Sequence, residues 1–119
     1  MADLKYYDVI LGKQMKLHTS MRKQYCLYHI CKHYDEIINI IKEIKPEYYK
    51  TAKKTSRGRK IYVGNLFIMK KKDFFKYCKF IFDILFEFDK RNSFRSDKNV
   101  LDYMKKLFDN STIYHYQSR

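Results

Sequence analysis

Between Asp73 and about Arg91 the sequence commits to a helix of an unusual kind. At about 100° per residue, Asp73, Lys76, Lys79, Asp83, Glu87 and Lys90 fall in a single arc of about 120°. The apolar residues between them, from Phe74 and Phe75 through Ile84 and Leu85 to Phe88, occupy the remaining arc of about 240°. A surface helix needs one covered stripe, whereas this one needs cover on more than one side. The rest of the chain offers only short strands and some Ile-rich helix, so the sequence predicts a further partner surface, either another subunit or more chain.

Length sharpens that expectation. The 119 residues, 14.7 kDa, allow one domain at most. Lys and Arg outnumber Asp and Glu by 26 to 13, which draws the protein toward anionic partners. The aromatic content of 18% argues against disorder. Most of the cations are lysines, and Tyr, Phe and Ile are abundant while Trp is absent, a pattern that A+T-rich coding inflates. The surplus therefore counts for less than its size. Cys26, Cys31 and Cys78 are odd in number and irregular in spacing, and the N-terminus has no signal-peptide pattern, which together point to a reducing cytoplasm. No uncharged apolar run reaches the ~20 residues needed to span a bilayer.

Along the chain, Tyr6 to Leu11 reads as one strand stopped by Gly12, and Lys13 to Ser20 as a loop. Thr19 or Ser20 is placed to cap the next element, either two helices or one bent helix over Met21 to about Lys32 and about Tyr34 to Ile44. The second segment carries Ile37, Ile40, Ile41 and Ile44 on one face and ends at Pro46. Lys50 to Lys60, rich in Lys, Arg, Thr and Ser, reads as a mobile loop. Ile61 to Met69 reads as a buried strand with Gly64 at a bulge or close approach. Asn92 to Asn99 is a polar break before a short amphipathic helix, Val100 to Phe108.

Few residues suggest chemistry. Cys26, His29 and His33 share a stripe if helical, but a structural zinc site needs four ligands and no second pair exists, so packing beside the Ile stripe is the better account. Three scattered glycines build no phosphate-binding loop. Asp8 is a candidate for a sugar hydroxyl or a metal, although an acidic residue in a surface strand is the commoner explanation. Asn65, an amide opening an apolar strand, must find partners and suits a sugar or the backbone. The basic run beside Tyr48, Tyr49 and Tyr62 invites nucleic acid, but no recognition module accompanies it.

The run Asn65-Leu66-Phe67-Ile68-Met69-Lys70-Lys71, with Phe74, Tyr77-Cys78 and Leu85-Phe86-Glu87, resembles the "NMFIMKK, F, YC, WLFDILFELEKR" signature of domain-of-unknown-function family 4422. Tyr7 to Leu11 resembles the family's "YDIILP" strand, Gln24-Tyr25 with His29 its "QY, H" element, and Ile41-Lys42-Glu43 with Pro46-Glu47-Tyr48 its "IKE, PEY" segment. Tyr116 to Arg119 resembles the start of "YQxRVFGFLSERL". Leu66 stands where the family has methionine, Phe80 where it has tryptophan, Gly12 where it has proline, and His33 where it has an acidic residue. The last change replaces a base or metal ligand with a group of opposite charge tendency.

The resemblance implies a bacterial capsular, exopolysaccharide or lipopolysaccharide glycosyltransferase-like protein. It further implies an α/β fold, the helix-rich part of a glycosyltransferase-A-like nucleotide-sugar domain with few strands and a long buried helix at about 73–91. Residues 1–119 are then expected to be a partial domain lacking an upstream half with a "GLxHYRRYF"-like motif and a C-terminal helix, and inactive alone. A complementing half or a second copy would cover the Phe74–Phe88 face.

The implied partners are a nucleotide sugar and a glycan or lipid-linked acceptor at the cytoplasmic membrane face, with peripheral membrane contact and no specific nucleic acid. His29 is the candidate for positioning or proton transfer, and Asn65, Arg119 and Asp8 are candidates for substrate binding. No cofactor is evident in this stretch, and a divalent metal is an expectation only for a full-length relative. The alternative reading is a basic module for nucleic acid or anionic surfaces.

Overall fold

The computed structural model describes residues 5–64, 66–94 and 96–110, the side chains of 108–110 excepted. The order is β1 (Val9–Leu11), β2 (Gln14–Lys16), α1 (Met21–Tyr28), α2 (Cys31–Ile44), a 3-10 turn (Pro46–Tyr48), α3 (Tyr49–Arg57), β3 (Lys60–Tyr62), β4 (Phe67–Met69), α4 (Lys71–Asn92) and α5 (Asp97–Asn110). The fold is helix-rich with few strands, as expected. The chain clusters into two compact units, 1–84 and 85–119, with α4 running through the division.

In the first unit the segment 9–16 runs antiparallel to 60–69 in two short ladders. Val9, Ile10 and Leu11 pair with Met69, Ile68 and Phe67, and Gln14, Met15 and Lys16 pair with Tyr62, Ile61 and Lys60. Between the ladders the first segment has two residues, 12 and 13, and the second has four, 63 to 66. Gly64 absorbs the excess at φ +64°, where a side chain would be strained. Gly12 crosses the same spot, and a Cβ there would lie 2.9 Å from the Val63 carbonyl oxygen. The single buried strand expected over Ile61–Met69 is thus two exposed-edged strands with a bulge at Gly64. The loop expected over Lys13–Ser20 contains β2, and the first strand shrinks from Tyr6–Leu11 to β1.

The Ser20 side chain accepts from the Lys23 N–H, as its residue type predicts. The break between α1 and α2 falls at His29 and Ile30, earlier than expected, so His29 caps α1 and leaves the stripe with Cys26 and His33. Cys26 is bonded to Cys31 across this junction, a bridge that a reducing compartment would open. Ile40 and Ile41 form the buried centre of the unit.

The segment read as a mobile loop is α3. It has no Gly or Pro before Gly58, and Ala52 and Ser56 lie on one side, where Ser56 is buried. The Ser56 hydroxyl donates to the Ala52 carbonyl, and the Tyr34 hydroxyl donates in turn to Ser56 at 2.6 Å. Helix formation here needs no apolar stripe. The helix is held by its packing against α1, α2 and the 3-10 turn, and its lysines add good intrinsic propensity.

The N-terminal half of α4 packs its Phe80 ring 4.7 Å from Tyr48, and Asp83 accepts from Lys45 and Lys79. Those lysine hydrogen bonds, Lys79 first and then Lys45, hold the Asp83 carboxyl below its usual range. Only Ile84 of this helix is buried among the described residues. The helix is as long as expected but not buried in this chain. Phe75 and Phe86 stand 58% and 67% exposed, because the chain brings apolar cover to one side of a helix that is apolar on several.

In the second unit α4 ends at Ser93, whose φ of +57° turns the chain back. Phe94 then stacks near Phe88 and edge-on to Tyr103 of α5, and Ser96 caps α5 by accepting from the Asn99 N–H.

Candidate functional site

A hollow of about 440 Å³ is lined by Leu17, Met21, Gln24, Tyr25, Tyr28, His29 and Ile61. It exists because α1 is laid against the paired segments by backbone bonds, Leu17 N–H to the Arg59 carbonyl and Met21 N–H to that of Gly58. Gln24 and Tyr28 are one turn apart on α1 and so present their side chains to the same opening. His29 closes the end. Its N–H donates to the Tyr25 carbonyl, and its ring lies 4.8 Å from the Tyr25 ring, tilted by 37°.

That placement is held from behind. The Tyr25 ring also meets Tyr34 at 5.4 Å, and Tyr34 is fixed by its hydroxyl to Ser56. The Cys26–Cys31 bridge brackets His29, and Arg22 grips both oxygens of Asp35 at 2.7 Å, tying α1 to α2. Hydrogen bonding from Arg22 holds the Asp35 carboxyl below its usual range. His33 is pushed down instead, chiefly by burial and secondarily by Lys32, against an opposing pull from Glu36. Chemically, the hollow offers an imidazole and an amide beside aromatic faces, a set suited to hydrogen-bonding and stacking an uncharged polar ring.

Of the residues singled out in the sequence, Gln24, Tyr25 and His29 come together here. Asp8 does not line this hollow. It lies at the start of β1, 81% exposed, and accepts from Lys70 at 3.2 Å across the β1–β4 register. Asn65 and Arg119 lie outside the described residues. Tyr28, Leu17 and Ile61 join the site without a signal of function in the sequence, although Tyr28 follows Gln24 at the four-residue spacing that marks a shared helix face. Among the described residues no three His, Cys, Asp or Glu side chains gather as a metal site.

Two other hollows flank α3. One, about 320 Å³, is apolar and lies between α2, α3 and Phe80. The other, about 540 Å³, is lined by Tyr49, Lys50, Lys53, Lys54 and Arg57.

The comparisons place the chain among known families and folds. The pattern of the domain of unknown function DUF4422 matches residues 1–114, and the chain belongs to this family. The fold is similar to part of a solved structure described as the bifunctional glycosyltransferase WbbM in its apo state. The TM-score is 0.69 and the identity 24%, over 73% of this chain and 16% of that one. The present chain therefore corresponds to a small share of the length of the protein it resembles. No curated protein matches it.

Proposed function

We propose that the chain is part of a glycosyltransferase domain that moves a sugar from a nucleotide-sugar donor to a glycan or lipid-linked acceptor in capsular, exopolysaccharide or lipopolysaccharide synthesis. It would work at the cytoplasmic membrane face. The observation that carries this reading is the family match over 1–114 joined to the glycosyltransferase fold likeness. In this reading His29 moves or orients the acceptor proton and Gln24 hydrogen-bonds a sugar hydroxyl. Asp8 binds substrate once released from Lys70, and Asn65 and Arg119 are further substrate contacts. A divalent metal, where a longer relative uses one, would neutralise the leaving diphosphate.

The exposed apolar side of α4 supports a second element of the proposal. Further glycosyltransferase chain, or a second copy, covers the Phe74–Phe88 face, and the 119 residues alone transfer no sugar. The test is a transfer assay on the purified chain, alone and co-expressed with a polypeptide that completes the domain. We expect activity only in the second case, with His29→Gln lowering its rate about 10²- to 10⁴-fold. Transfer by the chain alone would overturn the need for completion. A completed domain that binds no nucleotide sugar would overturn the function.

A further inference from the structure

The helix α3 separates its residues cleanly. At about 100° per residue, Lys53, Arg57, Lys50 and Lys54 lie within an arc of about 100°, while Ala52 and Ser56 lie opposite and Thr51 and Thr55 face the apolar hollow beside α2. All four cations are exposed and rim the hollow of about 540 Å³. No ion pair among the described residues engages Lys50, Lys54 or Arg57. Lys53 feels Asp35, but both oxygens of that carboxylate are held by Arg22. Between Tyr48 and Lys72 the sequence contains no acidic residue, and Arg59 and Lys60 extend the positive surface past the end of the helix.

We infer that this face of α3 is a docking surface for an anionic phospholipid membrane. Four to eight Lys and Arg on one side of a helix suffice for such attraction, each acting as a charge over a field of phosphates. The ligand must be an extended polyanion, because the cations are spread over two turns of helix and converge on no single point.

Nucleic acid fits less well. The one ring lining the hollow, Tyr49, is half-buried and already carries the Lys42 ammonium 5.4 Å from its centre, and Tyr48 is set against Phe80, so the face lacks a free ring on which bases stack. Three of the four cations are lysines, point charges without the planar fork that reads a base edge. No helix among the described residues is long and apolar enough to cross a membrane, which makes the contact peripheral. The inference shares with the proposed function a place at the membrane face, and lipid binding can be measured without any transfer.

The experiment is co-sedimentation of the 119-residue chain with phosphatidylcholine vesicles and with vesicles in which phosphatidylglycerol replaces part of the phosphatidylcholine. We expect binding only to the second kind, weakening as salt is raised. The triple variant K50Q/K53Q/K54Q should bind about a hundredfold more weakly, from about fivefold per cation. The variant K98Q/K105Q/K106Q, with the same charge loss on α5, should change binding only a few-fold. The K50R/K53R/K54R variant should retain binding, which separates charge from helix damage. Equal losses in the two glutamine triples would overturn the inference, as would no binding by the unaltered chain. Duplex DNA that is bound through these lysines while vesicles are ignored would overturn it too.

Discussion

The helices α2 and α4 are both amphipathic and both rich in large apolar residues, yet they end in different environments. α2 sinks Ile40 and Ile41 beneath α1, α3 and the 3-10 turn, while α4 buries Ile84 alone and leaves Phe75 and Phe86 largely in solvent. Apolar content therefore does not define the core of this chain. What defines it is which stripe has neighbours, and α4 carries a wider stripe than its neighbours can meet.

The contrast can be broken by mutation. Ile40→Ala should cost about 2–5 kcal/mol, read by chemical denaturation, since the site is fully enclosed. A loss below that range would mean that α2 is no more a core than α4. Removing the Cys26–Cys31 bridge by paired Ser substitution should cost about 2 kcal/mol, the chain-entropy value for so short a loop, because it secures the α1–α2 corner. Adding reductant to the unaltered chain should reproduce that shift.

Tyr34→Phe should cost about 1 kcal/mol, since Ser56 keeps its bond to Ala52 and only the contact between helices is lost. On α4, Phe75→Ser and Phe86→Ser should each change stability by about 0.5 kcal/mol or less, and under the proposed cover of this face by a second copy they should reduce the self-association that light scattering reads. A large loss from either would show that this face is already covered.

The smallest effect is one of pH. Burial lowers the folded-state affinity of His33 for a proton, so the unfolded chain binds more protons around and below the ordinary imidazole value of about 6.5. Stability should therefore fall as pH drops through that region and recover as it rises. In His33→Gln this dependence should disappear, which thermal melts at a series of pH values would detect.

The sequence makes some of this legible and conceals the rest for physical reasons. α4 and α2 are plain because their polar residues repeat at helical spacing, and Ser20 announces its cap by residue type. α3 is hidden because a helix whose contacts run through Ala52, Ser56 and Tyr34 leaves no apolar stripe to find. The ladder ends are hidden too, because three-residue strands carry too little alternation to mark them. In the candidate site, Gln24, Tyr25 and His29 are visible through the family resemblance. Periodicity alone places His29 on a helix that in fact stops before it. Asp8 is legible as an acid in a surface strand, but its pairing with Lys70 depends on a register that residue types do not encode.

The crossing of Gly12 and Gly64 has a further consequence for how this family can vary. Two extra residues on one side of a ladder form an even excess, and strands alternate their faces with a period of two. Deleting one residue from 63–66 would leave an odd excess and set β3 and β4 at conflicting parity with their partners. Deleting two would merge the ladders into one. Length changes at this crossing should therefore come in pairs, so that the bulge acts as a parity check on the chain.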